Sequence, residues 1–165
     1  MDTYLLDTNL VSVLYDARRP NHIAVRQAVA ALPPDASQLV SVVTIGELRF
    51  GLALARAAGQ PLMHIDACLA STEAHPLAEV SRHTADAFAT VKSSIALARI
   101  DIARRIPRWV EAWTDRVSGQ LLQIDENDLW ISAQALERNY VVVTSDTDFT
   151  QVIAPAVPDL RVLLV

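Results

Sequence analysis

Short, almost wholly apolar runs alternate along the chain with longer stretches in which apolar residues recur at helical spacing. Thr3-Tyr4-Leu5-Leu6 is the first short run, and it stops at Asp7-Thr8-Asn9, three small polar residues that do not continue a buried strand. A helix-like run through Tyr15 follows at once, with Thr8 or Asn9 as a suitable N-cap. Further strands are expected at residues 38–43, 76–80, 140–144 and 160–165, the one at 76–80 being the weakest. Between them the pattern predicts helices from Pro20 to about Leu32, from Thr44 to about Ala58 with Gly59 as C-terminal cap, and over 61–69. Ser81 can cap a long helix carrying Phe88, Val91 and Ile95, ending before Pro107. A separate helix is predicted from Pro107 to Gly119, with Trp109, Val110, Trp113 and Val117 as its apolar face. The last runs from Asn127 or Asp128 to about Arg138. Strands that alternate with helices, and are apolar on both sides, predict a parallel sheet covered on both faces.

Size fits that picture, since 165 residues make one domain spanning 1–165 with an ample core. Hydrophobic residues are 52% and charged residues 20%, which excludes a disordered chain. The single cysteine, Cys68, cannot form an internal disulfide and reads as a buried small residue in a reducing setting. No basic stretch precedes an apolar core at the N-terminus, and no window approaches the ~18 apolar residues of a membrane span. No membrane association and a cytoplasmic location are therefore expected. A net charge of −5 argues against phosphate binding through Lys and Arg alone, but not against a carboxylate site whose bound cations reverse the local sign.

Four acids bear on that exception. Asp7 ends the first strand, where open parallel sheets bind ligands, or else caps the next helix. Glu47 follows the second strand and, three residues after Thr44, also fits a capping box. Asp128 begins a helix that must run antiparallel to the strands, so it starts at their carboxyl edge, where it also complements the helix dipole. Asp146 follows the fourth strand in an Asp-rich turn. Four carboxylates on one rim repel one another unless a cation joins them, and their oxygens suit Mg²⁺ or Mn²⁺. Such ions turn water into a nucleophile and stabilise a leaving oxygen in phosphodiester hydrolysis. There is no Gly-rich phosphate loop, Gly-x-Ser-x-Gly elbow or His-Glu-x-x-His pair, and His22, His64, His75 and His83 are scattered.

The segments YLLDTNLVSVL, VVTIGELRFGLALA, NDLWISAQAL and VVVTSDTDF, in that order, resemble the PIN-domain ribonucleases, in particular the VapC-type toxins of bacterial toxin–antitoxin pairs. The resemblance implies an α/β, three-layer α/β/α sandwich with a central five-stranded parallel sheet. It implies an Mg²⁺- or Mn²⁺-dependent endoribonuclease whose catalytic and metal-binding residues are Asp7, Glu47, Asp128 and Asp146. Asn9 and Thr144 would help to orient the acids, with Asp148 as an additional acid or a cap. The implied partners are an RNA substrate, a cognate antitoxin protein and a second copy of the chain. Residues 98–126, with Pro107, the two tryptophans and Asp125-Glu126, match no motif. There Arg99, Arg104, Arg105, Arg108 and Arg116 offer either a track for an RNA backbone or a solvated helix face. Two other readings stay open: a catalytically inactive PIN-like binding module, and a receiver-like Mg²⁺-binding signalling domain. The second needs a lysine near the acids, and Lys92, the only lysine, is expected inside the long helix away from them.

Overall fold

In the computed structural model, which describes residues 2–165, the centre of the molecule is the strand β1, Thr3–Leu6. Ser37–Ser41 (β2), Leu77–Ala78 (β3), Val141–Thr144 (β4) and Arg161–Leu164 (β5) complete a five-stranded sheet in the order β3-β2-β1-β4-β5. Every pairing is parallel, with Leu5 opposite Leu39 on one side and Val142 on the other. Receiver-like sheets run in the order 2-1-3-4-5, so this topology removes the receiver reading.

Side-chain alternation along β1 and β4 divides the core into two layers. Leu5 and Val142 face a cluster that includes Val91, Ile95, Leu129, Ala135, Phe149 and Ile153. Tyr4, Leu6, Val141 and Val143 face the opposite way, against Leu10, Val11, Val25, Val29 and Ile45. The first layer is supplied by α5, Arg82–Arg99, and α6, Glu126–Arg138, joined across their length by the stacked rings of Phe88 and Trp130 at 4.0 Å. The second is supplied by α1, Thr8–Leu14, α2, His22–Ala30, and α3, Val42–Ala57, with α4, Met63–Glu73, packed outside. Cys68 of α4 is buried there, as expected. The expected three-layer α/β/α sandwich is what the chain forms. After β4 a π-helical turn, Phe149–Ile153, continues into the short α7, Ala154–Ala156. Among the described residues, no helix is long and apolar enough to cross a membrane.

Several boundaries differ from the sequence pattern, each for a local reason. Asn21 takes a left-handed backbone conformation, φ 64°, so α2 begins at His22 and not at Pro20. Val42 and Val43 read as strand, yet α3 begins at Val42 because the Ser41 hydroxyl caps it by accepting from the Val43 N–H at 3.0 Å. The Thr44–Glu47 capping box therefore does not exist, and Glu47 lies in the second turn. α6 begins at Glu126 because Asp125, and neither Asn127 nor Asp128, is its N-cap.

The predicted helix from Pro107 to Gly119 is absent; only Val110–Ala112 makes a short 3₁₀ turn. The Trp113 indole N–H donates to the Pro107 carbonyl, and the Asp115 carboxylate accepts from Val117 and Ser118 N–H, which fixes turns in place of helical bonds. Val110 and Trp113 are buried whereas Trp109 and Val117 are exposed, so these residues do not share one apolar face. This excursion is tied to the start of α6 through Lys92, whose ammonium ion-pairs with Glu126. Glu126 also accepts from the Val110 N–H. The lysine expected far from the acidic rim thus stands beside the residue that opens α6.

Candidate functional site

The strand order reverses at β1: the chain leaves β1 for β2 on one side, and reaches β4 on the other only after β3 and α5. The crevice beyond the carboxyl ends of β1 and β4 is the place where such sheets bind ligands. Asp7 follows β1, and its backbone N–H donates to the Val143 carbonyl at 3.0 Å, which carries the ladder to the strand end. Its carboxylate is 1% exposed and makes no capping bond to α1, although it occupies the N-cap position. The reading of Asp7 as a mere helix cap is thereby excluded. One of its oxygens instead accepts from the Thr144 hydroxyl at 3.0 Å.

Thr144 in turn accepts from the Asp146 N–H at 2.9 Å, so one buried hydroxyl at the end of β4 aligns both aspartates. Asn9, in the first turn of α1, donates to the second oxygen of Asp146 at 3.3 Å. Asp146 also accepts from the Asp148 N–H at 2.9 Å, while the Asp148 side chain is half-buried.

Glu47 reaches the same edge from α3. The Thr8 hydroxyl donates to one of its oxygens, and the Asn127 amide donates to the other at 2.9 Å. Thr8 receives the Thr44 hydroxyl at 2.9 Å, so a relay of two threonines ends on the glutamate. Asp128 approaches from α6, where it forms a reciprocal cap with Asp125: Asp125 accepts from the Asp128 N–H, and Asp128 accepts from the Asp125 N–H, both at 2.9 Å.

The four acids feel one another's charge. Burial lifts the Asp7 carboxyl to about 6, against the hydrogen bond from Thr144, and Asp146 and Glu47 lift it further. Asp128 is held well above the usual carboxylate range by burial first, then by Asp125, with Asp7 and Asp146 adding to it. Burial also raises Glu47, partly opposed by Thr8 and Asn127, and it raises Asp148 with help from Asp146. Among the described residues, none of Asp7, Glu47, Asp128 and Asp146 forms an ion pair. Nor, as the side chains stand, do three His, Cys, Asp or Glu groups among the described residues come close enough to hold one ion. Each carboxylate is turned onto a protein donor.

The structure thus brings Asp7, Glu47, Asp128 and Asp146, with Asn9 and Thr144, to one edge. Sequence reasoning passed over Thr8, Thr44, Asn127 and Asp125 as parts of this assembly. The signal for them was position: each lies within three residues of an acid already singled out, where a short polar side chain can reach its neighbour. The histidines stay outside, His75 against Tyr15 and the Gln38 carbonyl, and His22 on the Val13 carbonyl.

A parallel sheet with an acid-lined crevice at its switch point defines the class. Within that class the PIN-domain profile matches residues 4–154, and the chain belongs to the PIN-domain family. No curated protein matches the sequence closely enough to count as a relative. Among solved structures, the fold is similar to VapBC2 of Rickettsia felis bound to a promoter DNA fragment, at TM-score 0.66 and 15% identity over 98% of each chain. VapBC-1 of nontypeable Haemophilus influenzae gives 0.61 at 23% identity, covering 98% of this chain and 97% of that one. VapBC-5 of Mycobacterium tuberculosis, a member of the VapBC family of toxin–antitoxin systems, gives 0.60 at 23% over 100% of both.

Proposed function

We propose that this protein is a divalent-metal-dependent endoribonuclease and the toxin of a toxin–antitoxin pair. The observation that carries the proposal is the set of four carboxylates, delivered by β1, α3, α6 and β4 to one crevice and, among the described residues, without a Lys or Arg partner. The donor set fits a hard cation: it offers carboxylate oxygens alone, with no Cys or His among them, and its mutual repulsion is relieved by positive charge. A bound Mg²⁺ or Mn²⁺ would supply a water nucleophile at neutral pH and charge stabilisation at the leaving oxygen.

The protein's own part is positioning. Thr144 holds Asp7 and Asp146 in fixed relation, Asn9 steadies Asp146, and Thr8 with Asn127 holds Glu47 at the rim. Asp7, Glu47, Asp128 and Asp146 would hold the cation in their ionised form, and its positive charge would offset the burial and mutual repulsion that raise Asp7, Glu47 and Asp128. Asp148, half-buried beside Asp146, serves as an accessory acid.

Family membership and the toxin–antitoxin complexes among the similar structures support the toxin reading over that of an inactive binding module, as does the complete set of acids. The reading carries with it an antitoxin protein that controls the crevice, action in the cytoplasm, and a homodimer. Trp109, 56% exposed, is available to such an interface, whereas Trp113 is spent in the core. The test is incubation with single-stranded RNA in Mg²⁺ or Mn²⁺ and in EDTA. Cleavage with metal and none in chelator is expected; cleavage unchanged in chelator rules out the metal mechanism.

A further inference from the structure

A cleft of about 380 Å³ opens directly beside Asp146, walled by Asn9, Ser12, Val13, Arg19, Ser145, Asp146 and Thr147. Its size lies toward the lower end of the roughly 300–1,000 Å³ of small-ligand sites, and its walls are chiefly hydroxyl, amide and charged groups. Arg19 is the only cation among them. The acid nearest to it in sequence, Asp16, is already engaged: both of its oxygens receive the Arg18 guanidinium at 2.8 Å. Arg19 and Asp146 line the same cleft, yet among the described residues Arg19 forms no ion pair with Asp146 or any other acid. Both charges therefore face the cleft unneutralised. The Arg19 backbone is fixed by a turn, its N–H donating to the Asp16 carbonyl at 2.9 Å and its carbonyl accepting from the His22 N–H, so the side chain starts from a set point beside the cleft.

An arginine beside neutral hydroxyls matches a phosphate attached to a ribose. A guanidinium fork pairs with phosphate oxygens, and Ser and Thr hydroxyls both donate to and accept from a 2′-hydroxyl. Net charge gives the protein little general attraction for a polyanion, so a local cation such as Arg19, lining the cleft beside Asp146, matters the more. We propose that this cleft holds one nucleotide of single-stranded RNA next to the reacting phosphate, with Arg19 clamping that nucleotide's phosphate. The proposal rests on the ribonuclease reading and adds to it a positioning residue and the side of the crevice along which the strand leaves.

The test is fluorescence anisotropy of a short, unstructured, labelled RNA, titrated at several salt concentrations with Ca²⁺ in place of Mg²⁺, for the parent, Arg19→Ala, Arg19→Lys and Arg82→Ala. Arg82 lies at the start of α5, exposed and outside the cleft, and controls for net charge. Arg19→Ala is expected to weaken binding about tenfold, the lower end for a charged hydrogen bond. It should also lower the slope of log affinity against log salt by about 0.7, one phosphate contact on a single strand. Arg19→Lys should keep the slope and lose part of the affinity, and Arg82→Ala should match the parent. If Arg19→Ala behaves as Arg82→Ala does, while the parent binds RNA and cleaves it in Mg²⁺, the cleft proposal falls and the ribonuclease reading stands. If the parent neither binds nor cleaves RNA, both fall together.

Discussion

Replacing Asp7 with Asn removes one charge from the most buried of the four acids and keeps both its size and an oxygen for the Thr144 hydroxyl. Burial lifts the Asp7 carboxyl from 3.8 to about 6 in the folded protein. A carboxyl raised on folding binds its proton more tightly in the native state, so stability is greatest at low pH and is lost as pH rises from 3.8 to about 6. Above that window the folded, metal-free protein bears the whole penalty: roughly 2 pKa units at 1.36 kcal/mol each, or about 3 kcal/mol. At 1% exposure there is no solvent screening to discount. Asp7→Asn relieves the penalty, and because Asp7 makes no capping bond to α1, no cap is lost in exchange. For a chain of this size 1 kcal/mol moves the melting temperature by about 2–4 °C, so the variant should melt about 6–12 °C higher in EDTA near neutral pH. The two proteins should converge as pH falls below 3.8, where the Asp7 carboxyl is protonated in the folded and the unfolded chain alike. The assay is a pair of thermal melts followed by circular dichroism across that pH range. A variant that melts lower than its parent in EDTA, or an advantage that persists unchanged at low pH, refutes the argument and makes Asp7 a structural aspartate.

Saturating Mg²⁺ or Mn²⁺ at about 100 times its dissociation constant should stabilise the parent by about 2.7 kcal/mol and Asp7→Asn by much less, read from the same melts with metal. Asn127→Ala deletes the donor to Glu47 at 2.9 Å and should cost about 1 kcal/mol, while RNA cleavage falls far more than stability does, as measured by melting and by product formation on a gel. Lys92→Met breaks the pair with Glu126 that pins the 100–125 excursion to α6; a loss of about 2 kcal/mol in urea unfolding is expected, and an unchanged midpoint would show that the excursion is held by its apolar contacts alone. Leu5→Ala opens a cavity in the central strand and should cost about 2–5 kcal/mol by the same measurement.

The strands and the acids were legible because each rests on a local, strong signal. Leu5-Leu6 and Val142-Val143 are apolar runs that end in small polar residues, and parallel pairing of Leu6 with Val143 brings both strand ends, and so Asp7 and the Thr144–Asp146 turn, to the same edge. Less legible was whatever depended on partners remote in sequence. Val42 and Val43 have the β-branched character of a strand, but the Ser41 cap turns them into the first helical turn, which moved Glu47 a turn deeper than its neighbours alone implied. The 107–119 segment has helical spacing and a proline suited to a first turn. Even so, Asp115 binds the following N–H groups and Arg99 at once, a competition invisible without the fold. Arg19 sits in an unremarked turn, and only the packing of α1 against β4 sets it in a cleft with Asp146. Lys92 was correctly placed in its helix, but its partner, Glu126, lies 34 residues away.

The central claim is that Asp7, Glu47, Asp128 and Asp146 together form one cation site, and titration calorimetry with Mn²⁺ tests it most directly. The account predicts saturable binding to the parent, released by EDTA, and marked weakening when any one of the four is changed singly to its amide. A parent that binds no Mn²⁺, or four amide variants that all bind as the parent does, would contradict it.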